Sequence, residues 1–282
     1  MRGVSKVTDG QVVAIDGKTL RHSFDTAAKK SAIHMVSAWA TRNQVVLGQV
    51  KTEEKSNEIT AIPKLLEMLF LEGCIVTIDA MGCQREIVER IVEKGADYII
   101  SLKGNQEKLH EEVKALFTEA REERFETVRH SYMETLDDEH GRIEKRRCWV
   151  TGQLDAIKEK AKWPSLTSIG MVEAERTIGG VKSCETRYFI SSLPGDDAKK
   201  FAGAIRSHWG IENNLHWVLD VAFREDESRV RKDNAPENMA MMRHVALNLL
   251  KQATTEKKRV SVKSRRKLAG WDHQFLAHVL GL

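Results

Sequence analysis

Residues 11–16, QVVAID, decide the fold: an apolar, β-branched run closes on a carboxylate, Asp16. Such a run predicts a buried strand that ends at the acid. Residues 74–79, CIVTID, repeat the pattern and close on Asp79. If the two strands are neighbours, both carboxylates emerge at one edge of a sheet, which is where α/β proteins bind ligands. The alternative for either acid alone is a turn cap at the end of a strand.

Helices and strands alternate around these two runs. The pattern of apolar residues predicts strands over 31–40, 44–51 and 97–102, and helices over 56–71, 84–94 and 106–123. The first helix is expected to begin near Ala61, with Pro63 in its first turn. Alternating strands and helices favour an α/β fold whose sheet is covered on both faces. A β-rich region over 125–193 and two helices, 196–223 and 235–252, follow.

Glu212 is the third acid with a geometric argument. The predicted helix 196–223 has an apolar stripe that includes Ile205, Trp209 and Leu215, and steps of three and four along it pass through position 212. A carboxylate that faces the interior is costly unless it is paired or holds a metal. The alternative is a pairing of Glu212 with His208 or His216 on the adjacent turns.

Three acids of this kind indicate a metal site. Hard oxygen ligands without a Cys or His ligand set favour Mg²⁺ or Mn²⁺ over zinc. Two such ions activate the attacking oxygen and stabilise the leaving one during displacement at phosphorus. The implied substrate is a polyanion.

The amino-acid composition narrows the possible functional classes only slightly. The 282 residues include 45 Lys and Arg against 41 Asp and Glu, a net charge of +4 that does not by itself indicate a DNA-binding protein. Residues 251–267 hold eight basic residues and one acid, which fits either a solvated tail or contacts to phosphate. The four cysteines do not make a disulfide scaffold, and no apolar run is long enough for a membrane helix. A cytoplasmic protein is expected.

Several longer motifs resemble the H-repeat-associated transposases, which belong to the ISAs-type bacterial insertion sequences with DDE chemistry. The motifs are AIDGKTLRHS (14–23), TIDAMGCQ (77–84), YIISLKGNQ (98–106), HGRIEKR (140–146), RYFISSL (187–193) and IRSHWGIENNLHWVLDVAFREDESRVR (205–231). The resemblance runs over most of the chain, from about residue 11 to residue 251.

The resemblance implies an RNase H-like core, a mixed five-stranded sheet flanked by helices, with a β-rich insertion before the last catalytic helix. The core then occupies residues 1–124 and 194–252, the insertion residues 125–193, and a basic C-terminal tail residues 253–282. Asp16, Asp79 and Glu212 fall on the catalytic positions of that core. The implied reaction is strand cleavage and strand transfer at the ends of an insertion-sequence element, with two Mg²⁺ or Mn²⁺ ions as cofactors.

The resemblance also indicates partners. We expect the chain to bind DNA, both element ends and target, as a homodimer in the nucleoid. Basic or polar residues within the matching motifs are expected to contact phosphate: Lys18, Arg21, Lys103, Arg142, Arg206 and Asn213. Trp209 and Trp217 are candidates for stacking on a flipped base. For Trp209 the alternative is core packing, since it lies on the apolar stripe.

The chain departs from the family pattern in two ways, and these departures leave alternative functions open. Related transposases have a Tyr, Arg, Glu, Lys signature around the last acid, whereas this chain has Ile205, His208 and Leu219 beside Glu212, with Arg206 as a partial substitute. Members also carry a further N-terminal region, so a truncated copy is expected. The alternative functions are a catalytically silent remnant that binds DNA, and a two-metal nuclease that cuts without joining.

Overall fold

The computed structural model describes residues 10–26, 28–53, 57–139, 142–254 and 260–282. The chain divides into two compact units. Of the described residues, 13–69 and 209–282 belong to the first unit, and 10–12 and 70–208 belong to the second. None of the helices in these described ranges is both long enough and apolar enough to cross a membrane.

The first unit contains an antiparallel sheet and five α-helices among the described residues. Its strands lie in the order β3-β2-β1, and Asp16 of β1 stands opposite Ser37 of β2. A short π-helical segment, Glu212–His216, precedes α5. The elements are β1 (Val12–Thr19), β2 (His34–Ala40), β3 (Val45–Lys51), α1 (Glu58–Glu67), α5 (Trp217–Phe223), α6 (Ala235–Gln252), α7 (Val262–Trp271) and α8 (His273–Leu280).

The second unit contains a mixed sheet of six strands in the order β4-β5-β9-β8-β7-β6. β4 and β5 are parallel, and every other pair in this sheet is antiparallel. The elements are β4 (Ile75–Ile78), α2 (Arg85–Glu93), β5 (Asp97–Leu102), α3 (Glu107–Glu122), β6 (Ser131–Glu139), β7 (Arg142–Thr151), β8 (Ser168–Ile178), β9 (Val181–Ser191) and α4 (Ala198–His208).

This architecture confirms the α/β class and agrees with an RNase H-like fold, but the prediction of five strands was too low. Nine strands are formed among the described residues, because the β-rich region of the chain continues a core sheet rather than standing apart. Its last strand pairs with β5, where Leu102 stands opposite Tyr188. The backbone groups of β5 on that side therefore find partners, which an edge strand would leave open.

Each unit has its own apolar core. In the first unit, Ile211, Leu215 and Leu219 pack with Ala14 and Trp39 of the sheet. In the second unit, Phe201 and Ala204 of α4 pack against strand residues that include Phe189. The strand residues Ala14 and Trp39 are fully buried, so the first strand is held rigidly from its interior-facing side.

Three element boundaries differ from the sequence prediction. Helix α1 begins at Glu58 and keeps Pro63 in its interior, because the side chain of Asn57 accepts a hydrogen bond from Ile59 and caps the helix there. Strand β1 continues three residues past Asp16. The predicted helix 196–223 is divided near Trp209 into α4 and the elements of the first unit.

Some predictions fall outside the described residues. These are Ser56, the first residue of the stretch with helical spacing, the first two residues of the HGRIEKR motif, and residues 255–259 of the basic run. The described part of the region predicted as a tail forms α7 and α8.

Candidate metal centre

Asp16 lies within β1 rather than at its end, so the prediction of a strand-terminal acid was wrong in position. The strand continues through Thr19 because main-chain pairing with β2 persists to Thr19 opposite His34. The Asp16 side chain is 17% exposed. The next residue is a glycine for a steric reason: a Cβ at Gly17 would lie 2.2 Å from side-chain atoms of both His34 and Glu58.

Glu212 begins the π-helical segment. The main-chain N–H of Trp217 donates to the carbonyl of Glu212, a bond across five residues that defines a π turn. Because this turn shifts the phase of the helix, the buried stripe passes through Ile211 and Leu215, not through position 212. The prediction of an interior-facing Glu212 was therefore wrong: its side chain is 52% exposed.

His216 connects the two acids. Its Nδ1 atom lies 3.4 Å from a carboxylate oxygen of Glu212 and 3.6 Å from one of Asp16, while its side chain is only 7% exposed. One donor atom from each of the three side chains lies within 4.8 Å of the others, so together they fit a metal ion. From the sequence, His216 was expected only as a pairing partner of Glu212. Its i+4 spacing from that acid was the available signal for a ligand.

The pKa of Asp16 is shifted by burial and by the charged groups around it. Burial, together with the nearby Glu212 carboxylate, raises the pKa of Asp16 to about 7, although His216 acts in the opposite direction. A carboxyl group with this pKa gives up its proton readily when a cation replaces it. The donor set and its charge therefore fit a divalent metal.

Asp79 belongs to the second unit and follows β4 directly, as predicted. Its carboxylate accepts hydrogen bonds from the main-chain N–H groups of Met81 and Gly82. The side chain of Asn105 donates to the carbonyl of Ala80 and so steadies the same turn. The orientation of Asp79 is thus fixed by its own turn.

Lys18, one of the predicted phosphate contacts, lies in a cluster of acids. Its ammonium group is 2.7 Å from Asp226 and 2.9 Å from Asp220, and its side chain is 12% exposed. Burial acts to lower the pKa of Lys18, but hydrogen bonds to the two aspartates raise it above the usual value. Glu225 lies nearby with its side chain 2% exposed, and burial raises its pKa.

The other predicted DNA contacts are exposed in the structure. Arg21 lies 3.1 Å from Asp226, Arg142 lies 3.4 Å from Glu144, and Arg206 lies 3.0 Å from Asp137. Lys103 and Asn213 are also exposed. Trp209 and Trp217 are 47% and 61% exposed, so the core alternative for Trp209 is wrong.

The mixed sheets flanked by helices agree with the RNase H-like class of enzymes, and the sequence comparisons show the family. The profile of the transposase DDE domain family matches residues 8–249. The chain belongs to this family of DDE transposases. As a class these are nuclease- or transferase-type enzymes that bind DNA and use divalent metal ions.

Several relatives span nearly the whole chain. "Putative transposase YncI" of Escherichia coli O157:H7 is 44% identical over 99% of this chain and 71% of its own length. "H repeat-associated putative transposase YhhI" of Escherichia coli strain K12 is 41% identical over 99% of this chain and 74% of its own length. These relatives confirm the resemblance to the H-repeat-associated transposases.

Proposed function

We propose that the chain cleaves and joins DNA strands at the ends of an insertion-sequence element by phosphoryl transfer. The catalytic acids in this proposal are Asp16, Asp79 and Glu212. The observation that carries it is the convergence of Asp16 and Glu212, two residues 196 positions apart, on one buried imidazole. Asp79 joins them on the evidence of its sequence motif and its place directly after β4.

The reaction has two steps of the same kind. A water oxygen first bonds to phosphorus at the element end while the bond to the 3′ oxygen breaks, which leaves a 3′-hydroxyl. That hydroxyl then attacks a phosphodiester of the target, so one P–O bond forms as another breaks and no further reactant is needed. Divalent cations, when bound, polarise the phosphoryl group and stabilise both the attacking and the leaving oxygen.

The protein's own residues divide the remaining tasks. Asp16 offers a fixed carboxylate, because its strand is paired on one side with β2 and anchored by the buried Ala14 and Ile15. Glu212 offers a carboxylate that is half exposed, so a DNA phosphate reaches the site from solvent on that side. A rigid ligand and an accessible one suit a centre that must accept a large polyanion.

DNA is held, in this proposal, by exposed basic and polar side chains outside the centre. Because the charge of Lys18 is already balanced by two aspartates, we assign it a structural part and leave phosphate contact to Arg21, Lys103, Arg142, Arg206 and Asn213. A surface cleft in the first unit adds a second group of cations, since α7 lines it with Lys263, Arg266 and Lys267. Such contacts give affinity without reading sequence. A homodimer on paired element ends, acting at the nucleoid, completes the proposal.

A strand-transfer assay tests this function. A labelled duplex that ends in a free 3′-hydroxyl is incubated with supercoiled plasmid, the purified chain and Mg²⁺ or Mn²⁺. We expect label in the plasmid with either metal and none with chelator. Asp16→Asn, Asp79→Asn and Glu212→Gln are each expected to abolish joining, whereas Glu89→Gln, an exposed acid on α2, is the matched control.

The outcomes separate the alternatives. Plasmid nicking without transfer of label favours a nuclease that cuts without joining. DNA binding with neither nicking nor joining favours the silent remnant. Joining that survives the substitution of any one of the three acids contradicts its assignment.

A further inference from the structure

The metal centre contains a nitrogen donor, which changes the metal it favours. We propose that His216 ligates the ion through Nδ1, and that the site therefore binds Mn²⁺ more tightly than Mg²⁺. This inference rests on the proposed function for the two carboxylates, Asp16 and Glu212, that share the ion. It adds a ligand that lies outside the acidic triad, and with it a stronger preference for Mn²⁺ than oxygen ligands alone give.

The burial of His216 is the first support. Its side chain is 7% exposed, and its Nε2 atom is buried without a hydrogen bond to any part of the chain that the structure describes. A buried polar group without a partner costs about 1–3 kcal/mol. The ring is nevertheless held in the interior, and its other nitrogen, Nδ1, lies within 3.6 Å of two carboxylate oxygens.

The distances are the second support. The separations of 3.4 and 3.6 Å from Nδ1 to the two acids are longer than a charge-assisted hydrogen bond, which is about 2.7–2.9 Å. Two donors that are each about 2.1 Å from one ion stand about 3.0 Å apart at a right angle and about 3.4 Å apart at a tetrahedral angle. The observed separations are longer than a hydrogen bond and leave room for an ion among the three donor atoms.

The π turn is the third support, because it connects the ring to the acid. Glu212 and His216 are the first and last residues of the π segment, and Leu215, between them in sequence, is fully buried. The neighbouring Leu215 packs into the core of the first unit and so holds the register of the whole turn. Such π turns occur often at functional sites.

Ligand softness then gives the selectivity. Mg²⁺ prefers oxygen donors and retains its waters, whereas imidazole nitrogen suits transition metals, and affinities for such sites rise from Mn²⁺ onward through the first row. With one nitrogen and two carboxylates, Mn²⁺ gains from all three donors, and Mg²⁺ gains chiefly from the carboxylates. Glu212 is half exposed, so positions remain open for phosphate oxygens.

The test measures metal binding to the full chain in the absence of DNA. Mn²⁺ is titrated by the loss of its free EPR signal, and Mg²⁺ by competition, for the wild type, His216→Asn and the exposed control His273→Asn. We expect wild type and His273→Asn to bind Mn²⁺ at least about 10-fold more tightly than Mg²⁺. In His216→Asn, Mn²⁺ affinity should fall by about 10-fold or more, while Mg²⁺ affinity changes by less than about 3-fold.

A spectroscopic readout keeps the test decisive even if His216→Asn folds poorly. Pulsed EPR of Mn²⁺ bound to the wild type should show coupling to a directly bound imidazole ¹⁴N. Bound Mn²⁺ without this coupling overturns the inference and leaves the carboxylate site of the proposed function intact. Equal losses of Mn²⁺ and Mg²⁺ affinity in His216→Asn also overturn it. If the coupling is present but strand transfer fails, the proposed function fails and His216 remains a ligand.

Discussion

His216 and Glu212 face each other across a single π-helical turn, with Nδ1 of the histidine 3.4 Å from Oε2 of the acid. The turn presents the acid to solvent and keeps the imidazole buried. Asp16 reaches the same imidazole from the first strand of the chain. In the proposed centre, Asp16 and Glu212, which lie far apart in sequence, hold one ion.

Asp16→Asn should change the pH dependence of stability in metal-free protein. The folded pKa of Asp16 is raised to about 7, above the value of an unfolded aspartate, so the native state binds more protons than the unfolded state between these two values. Wild-type stability should therefore fall as pH rises through this window, by at most about 4 kcal/mol, and the asparagine variant should lack this loss.

Thermal unfolding with chelator at about pH 5 and about pH 8.5 measures this effect. Because part of the loss already occurs between the unfolded pKa and about pH 5, the stability of the variant relative to the wild type should rise by a further amount of up to about 3 kcal/mol from the lower to the higher pH. Asp155→Asn, at an exposed position, should differ equally from the wild type at both. If the difference in stability between the wild type and Asp16→Asn is the same at both pH values, the raised pKa of Asp16 is contradicted.

Lys18→Met should destabilise the fold, because it leaves the acids around Asp220 and Asp226 without their cation. Removing one partner from a largely buried ion pair leaves an uncompensated charge, and we expect a loss of about 2–4 kcal/mol in chemical denaturation. Lys64→Met is the matched control, since Lys64 and its partner Glu53 are both mostly exposed and should contribute less than about 1 kcal/mol. A stable Lys18→Met chain that binds DNA weakly would restore Lys18 as a phosphate contact.

The basic side of α7 should contribute to DNA affinity without contributing to sequence preference. The double substitution of Lys263 and Lys267 by Gln should weaken binding to any duplex and reduce the slope of log affinity against log salt by about 2. Fluorescence anisotropy over a range of salt concentrations measures both quantities. Lys158 and Lys160, exposed lysines of the second unit, give a control with the same charge change. An unchanged slope would remove α7 from the interface.

Helices and strands were predicted well where the pattern of apolar side chains follows the buried face of the element. Strand β5 (Asp97–Leu102) and helix α6 (Ala235–Gln252) have the bounds that the pattern predicted. Strand β1 was predicted too short because its last residues, including Lys18, are polar. The main-chain ladder to β2 continues regardless of side-chain polarity.

The site was predicted in part. Asp16 and Glu212 lie in one cluster, but the apolar stripe that predicted Glu212 has the period of an α-helix, whereas the segment that begins at Glu212 is π-helical. The spacing of apolar residues does not distinguish a π turn from the end of one helix and the start of the next. The role of His216 depends on Asp16 approaching it from a strand 200 residues away, and no local pattern carries that information.

The most direct test of the metal centre is the rate of plasmid nicking by the wild type and by Glu212→Gln, measured against the concentration of Mn²⁺. If Glu212 and Asp16 hold the ion on which cleavage depends, the wild-type rate rises with Mn²⁺, saturates, and stops when chelator is added. The folded Glu212→Gln chain should then be at least about 100-fold slower at every concentration. Equal rates for the two chains, or a wild-type rate that does not respond to chelator, would contradict a metal-dependent centre at Glu212.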